Sequence, residues 1–139
     1  MDAMSYQCGV IDAFNEIVKA GVKDLALSHP ASAKEIYELL PFVISITQKY
    51  GTSYEVENDL LITDLFPFTA NKGKTVILFW KDPIVIEKYH ELKKWKAYSL
   101  KHGTYHETRE EIAKEFGKLL SYSEKAIDRM IRENMEKES

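Results

Sequence analysis

The chain has 139 residues, 45% of them hydrophobic and 29% charged, which is enough for one domain around a single core. Its formal net charge of −3 gives no global pull toward nucleic acid or an anionic membrane. Cys8 is the only cysteine, so an internal disulfide and a cysteine-built zinc site are both excluded. The N-terminus has no cationic segment leading into an apolar run, and no stretch reaches the roughly 20 apolar residues that span a bilayer. These features predict a cytoplasmic chain without membrane contact.

Met4 to Leu27 predicts an amphipathic helix, with Val10, Ile11, Phe14, Ile17, Val18, Val22 and Leu25 on one face and Asp12, Glu16, Lys19 and Lys23 opposite. Cys8 falls on the polar side with no activating neighbour. A second helix starts at the capping box Ser32–Glu35 and runs toward Tyr50 and Gly51, with a kink or a division into two short helices expected at Pro41.

The period then changes from helical to alternating. Ser53 to Glu57 predicts a half-exposed edge strand, and Asn58-Asp59 a hairpin turn. Leu60 to Phe66 and Thr75 to Trp80 follow as strands that are apolar on both faces, with Ile77 and Phe79 opposed to Val76, Leu78 and Trp80. Such a sheet needs cover on both sides. Three helices complete the chain. The first lies between Asp82-Pro83 and Gly103, the next starts at the box Thr108–Glu111, and the last starts near Ser121 or Ser123. The charged tail after about residue 134 is expected to fray. The order α-α-β-β-β-α-α-α gives a single α+β domain over 1–139, with helices packed on a three-stranded antiparallel sheet.

No motif of high specificity occurs, so the candidate site residues are individual polar groups. Three of the chain's four histidines lie between Tyr89 and Glu111. His102, His106 and Glu107 have the side-chain types of a transition-metal site, but Gly103 breaks the helix between the two histidines. His102 then serves the helix C-terminus, His106 and Glu107 lead into the Thr108 cap, and no bound metal or cofactor is expected. His90 reads as a surface histidine. Lys88 falls inside the apolar arc of its helix with Ile84, Leu92 and Trp95; it reaches water along its own stem, or else it needs an acidic partner or binds an anionic ligand. Asp64 interrupts an apolar strand, where an unpaired carboxylate is costly, and so calls for a partner.

Two nucleic-acid signals are present and both are incomplete. Lys88, Lys93, Lys94, Lys96 and Lys101 interleave with Trp95 and Tyr98, yet scatter round the helix and are diluted by Glu87 and Glu91. Glu111 to Gly117 resembles the first helix of a helix-turn-helix within 108–135. The following turn is too long, and the would-be recognition helix carries Glu124, Asp128 and Glu133 beside Lys125, Arg129 and Arg132. Gly73-Lys74-Thr75 lacks the glycine and the following helix of a phosphate-binding loop.

The reading that follows is a non-enzymatic ligand-binding or regulatory module, self-associating as a homodimer through the surplus apolar face of the sheet, with Tyr54, Leu61, Leu65, Leu78 and Trp80 as the residues facing the second chain; five helices wrapped over both faces would instead leave a monomer. A small-molecule ligand fits this reading; nucleic acid and membrane do not. The alternative is a small enzyme whose pocket gathers Asp64, Lys88, His90, His102, His106 and Glu107, and a less favoured one is a DNA-binding protein using the helix-turn-helix-like segment 108–135.

Overall fold

A computed structural model describes residues 2–139. Helix α1 (Ala3–Lys19) leads to strand β1 (Ala26–Leu27), α2 (Ala33–Tyr50), β2 (Ser53–Glu57) and the single turn α3 (Phe68–Asn71). Strand β3 (Val76–Trp80) and helices α4 (Pro83–Lys101), α5 (Tyr105–Leu119) and α6 (Glu124–Glu133) complete it. The class is α+β, with one three-stranded antiparallel sheet in the order β1-β3-β2. No helix among the described residues is long and apolar enough to cross a membrane.

β3 is central and fully buried from Val76 to Phe79. Ile77 and Phe79 face the core formed with Ile11, Val18, Ile36, Leu39, Val43 and Ile46 of α1 and α2. Val76 and Leu78 face the larger core formed by Tyr89, Leu92, Ile112, Phe116 and Ile127 of α4, α5 and α6. The alternation read in the sequence is therefore real, and the chain's own helices cover both sides. This corrects the argument for a homodimer. Of the residues expected to face a second chain, Leu61, Leu65 and Leu78 are buried, Trp80 packs on the larger core, and Tyr54 packs on the smaller one.

One strand is also reassigned. Leu60–Phe66 pairs with no strand, and β2 pairs directly with β3, in the register Ser53↔Trp80 to Glu57↔Val76. The expected hairpin at Asn58-Asp59 thus does not form. β1, read as the end of the first helix, takes the third place in the sheet, with Ala26↔Phe79 and Leu27↔Leu78. The helix stops early because Gly21 adopts φ +78°, closing α1 with bonds from its own amide to Val18 O and from Val22 N to Ile17 O.

Three boundaries differ for local reasons. α2 is one uninterrupted helix, and Pro41 sits on its exposed side, where the carbonyl it cannot serve is open to water. α5 begins at Tyr105 instead of Thr108, whose hydroxyl is used inside the helix to donate to Ser99 Oγ at 2.9 Å. The tail expected to fray is docked: Glu136 O accepts from Phe68 N at 2.8 Å, and Glu138 contacts α4 and α5.

Candidate functional site

Of the buried polar residues, Glu57, Thr63, Asp64 and Asn134 gather at the end of β2 and the irregular stretch 58–66 that follows it. Its apolar residues Leu60, Leu61 and Leu65 are inside the core, so its backbone groups need partners that no strand supplies. Side chains supply them. Tyr89 Oη accepts from Leu61 N at 3.0 Å, Lys96 Nζ donates to Ile62 O at 2.7 Å, and Thr63 Oγ1 accepts from Leu65 N at 3.1 Å. Asn134 Nδ2 donates to Asp64 O and Phe66 O, both at 3.0 Å.

α4 presents Tyr89, Lys93 and Lys96 to this stretch, at the spacing that places side chains on one helical face. Glu57, expected on the exposed side of an edge strand, is only 8% exposed. Its carboxylate accepts from Tyr89 Oη at 2.8 Å, Lys93 Nζ at 3.0 Å and Asp59 N at 2.9 Å. Burial, reinforced by the Glu57 charge, holds the Tyr89 hydroxyl far above its ordinary pKa. The lysines are therefore not scattered at random: Lys93 and Lys96 serve this face, while Lys94 and Lys101 stay exposed.

Asp64 has the partner its position demanded. Arg109 Nε and Nη2 grip its two oxygens at 2.9 Å each, and the carboxylate holds the guanidinium more firmly protonated than usual. Arg109 Nη2 also donates to Glu138 O at 2.6 Å, and Lys96 Nζ reaches Glu138 Oε1 at 2.7 Å. Both cations approach the ring of Tyr105, at 5.4 Å for Lys96 and 5.0 Å for Arg109; this ring is 6% exposed, and its hydroxyl is buried without a hydrogen-bond partner. Burial first, then the Glu138 and Asp64 charges, push its pKa up to about 12.

The other sequence candidates do not join this network. His90 Nε2 lies 2.9 Å from Glu55 Oε2 at the half-exposed edge of β2. His102 caps α4, its Nδ1 2.9 Å from Tyr98 O and its ring stacked on Tyr98. His106 and Glu107 are not loop residues but occupy the exposed first turn of α5, 3.5 Å from each other. Among the described residues, no group of three or more His, Cys, Asp or Glu is placed to hold a metal ion. Cys8 is partly buried, and desolvation, with the Asp2 charge, raises its thiol pKa, the wrong direction for a nucleophile.

Lys88 is different. It lines a groove of about 480 Å³ between α4 and α5, floored by Leu92, Trp95 and Leu119. Lys118 and Glu115 at its rim pair with each other at 3.2 Å, and Glu91 pairs outward with Lys94 at 3.7 Å. Lys88 has no carboxylate within ion-pair reach among the described residues, and Asp24 also lines the groove. Of the six sequence candidates, Lys88 alone lines this groove.

Glu57, Tyr89, Arg109 and Glu138 were not singled out in the sequence, and Lys93 and Lys96 were read only as members of a basic helix. The spacing of residues 89, 93 and 96 was the available signal for α4, but nothing local marks Arg109 as the partner of a carboxylate 45 positions away. Comparison with protein-family models found no match, and comparisons with curated proteins and with solved structures found none either.

Proposed function

We propose that the chain is a non-enzymatic binding module whose ligand site is the groove between α4 and α5. The observation that carries the reading is Lys88: an unpaired ammonium beside an apolar floor that includes a partly exposed indole. The volume is in the range of small-molecule sites, and the combination suits a ligand with an apolar body and a charged head. The enzyme alternative has less support, because the two buried carboxylates best placed for acid–base work are saturated. Glu57 already accepts from three donors and Asp64 from two. The module acts as a single copy in this reading, and the lone cysteine favours a cytoplasmic setting.

The test is a fragment titration followed by backbone-amide NMR, using phenylacetate and phenylalanine as probes. Shifts clustered at 88–95 and 115–119, weakened at least about tenfold in Lys88→Ala, are the expected result, since losing a charged anchor in a small site costs on this scale. Shifts that ignore the groove, or an unchanged Lys88→Ala, would overturn the reading.

A further inference from the structure

The docked tail fills a site of its own, separate from the α4–α5 groove. Tail docking explains why Lys96 and Arg109 each touch Glu138, but leaves a buried, unpartnered hydroxyl on Tyr105, whose ring both cations approach, Arg109 at 5.0 Å and Lys96 at 5.4 Å from its centroid. The tail also satisfies the cations unequally. Lys96 receives a carboxylate oxygen, whereas Arg109 receives only the neutral backbone carbonyl of Glu138. A free carboxylate could set one oxygen on Lys96 and the other on Arg109, with Tyr105 Oη as a third donor. Such charge-assisted bonds are stronger than a bond to a carbonyl.

Charge balance narrows the ligand. Asp64 neutralises Arg109 through two contacts, so departure of Glu138 leaves one uncompensated charge, that of Lys96. Lys93 is already held by Glu57 and by Asp59 O, and adds nothing. A single negative charge fits. From Lys96 a groove of about 290 Å³ runs between α4 and the 59–62 stretch, with Leu60, Ile62, Ala97 and the exposed Leu100 along it. An apolar chain laid there would cover Leu100.

We propose that Lys96, Arg109 and Tyr105 form a binding site for a monocarboxylate with a short apolar chain, and that Glu138 occupies it as an internal surrogate. Ligand and tail then compete for the same cations, and the apparent affinity is reduced by the fraction of molecules in which the tail is bound.

Sodium octanoate is the probe, titrated into the full chain and followed by amide NMR and calorimetry, with acetate as the comparison. Octanoate should shift the amides of Ile62, Lys96, Leu100 and residues 134–138. Glu138→Gln, which keeps the tail but removes its charge, should bind octanoate about tenfold more tightly if the tail occupies the site roughly nine-tenths of the time. Lys96→Met should bind at least about tenfold less tightly, as loss of the one uncompensated cation requires. Equal affinities in wild type and Glu138→Gln would overturn the competition, and no binding to Glu138→Gln would overturn the site. Acetate binding as tightly as octanoate would overturn the role of the groove. Shifts confined to 88–95 and 115–119 would overturn this site while leaving the α4–α5 reading standing.

Discussion

Asp64→Asn isolates the most deeply buried ion pair. Asp64 is 4% exposed, and Arg109 reaches it through two contacts of 2.9 Å. Breaking a buried pair by removing one partner costs about 3–5 kcal/mol, because the remaining charge is left uncompensated. Two features reduce that here. The Arg109 side chain is 23% exposed, and it keeps its bond to Glu138 O and its place over the Tyr105 ring. The asparagine oxygen also still accepts one N–H bond. The expected loss is therefore roughly 2–3 kcal/mol. In a urea melt this lowers the midpoint by roughly 1–2 M with the slope unchanged. A double-mutant cycle with Arg109→Met supplies the control, since the pair should show a coupling of about 2 kcal/mol when both charges are absent. A loss below about 0.5 kcal/mol for Asp64→Asn, or strict additivity in the cycle, would show that Asp64–Arg109 does not hold the 57–66 stretch.

Gly117→Ala places a methyl group 2.6 Å from Ile127 Cγ1, so the Ile127 side chain or α6 itself must shift, and a net loss of about 1–2 kcal/mol is expected despite the gain in helix propensity. Restored stability in Gly117→Ala/Ile127→Ala relative to Ile127→Ala alone, read by thermal melting, would confirm the clash. Tyr105→Phe removes a buried hydroxyl without a partner and should be neutral or stabilising by about 1 kcal/mol in the unliganded chain. Tyr105 also sets an alkaline signature. Its folded-state pKa is raised to about 12 against about 10 unfolded, so its contribution is complete below pH 10 and is lost as pH rises toward 12. Wild type should therefore lose stability relative to Tyr105→Phe in that window, by roughly 2–3 kcal/mol at most; parallel pH curves would refute the burial argument. Sedimentation equilibrium at micromolar concentration should give one species of monomer mass, because both faces of β3 are covered within the chain. A dimer would require an apolar interface elsewhere.

The sequence was most legible where a physical period or a cap acts locally. The alternation of Val76 to Trp80 predicted two buried faces, Ser32 and Asp82 cap the helices expected to start there, and of Ser121 and Ser123 it is Ser123 that caps α6. Leu60 to Phe66 misled for a specific reason: an apolar run of strand length signals burial, not pairing. Burial was correct at Leu60, Leu61 and Leu65, but the place in the sheet went to two residues, Ala26 and Leu27, too few to announce a strand by periodicity. At the site, the demand was legible and the supply was not. A carboxylate amid apolar residues showed that Asp64 needed a cation, yet Arg109 becomes its partner only when α5 packs against 60–66. The histidines drew attention by composition, and composition carries no information about which side chains face inward. They ended beside the edge of β2, at the end of α4 and on the first turn of α5, while the buried chemistry was built from Tyr, Lys, Arg, Asn and two carboxylates.

Holding a buried stretch by side chains instead of a ladder has a mechanical consequence. In a strand, each backbone bond is shared with a neighbour of fixed position. Here Lys96 bonds Ile62 O and Glu138 together, and Asn134 joins Asp64 O and Phe66 O to the base of the tail. The tail and the 60–66 stretch therefore share anchors. A change that frees Glu138 leaves Lys96 with Ile62 O and an unmet charge, and alters the load on Arg109, which holds Asp64 through the same guanidinium that touches Glu138 O. Occupancy of the carboxylate site is thus coupled to the order of the loop that walls its groove. The coupling is reciprocal: to the extent that tail docking orders 60–66, the order of 60–66 favours tail docking by the same coupling free energy. Asp64→Asn should accordingly show faster amide hydrogen exchange at Phe68, whose N–H is held by Glu136 O, as well as at Leu61 and Leu65. Exchange that changes at 61 and 65 but not at 68 would separate the tail from the loop and refute the shared anchor.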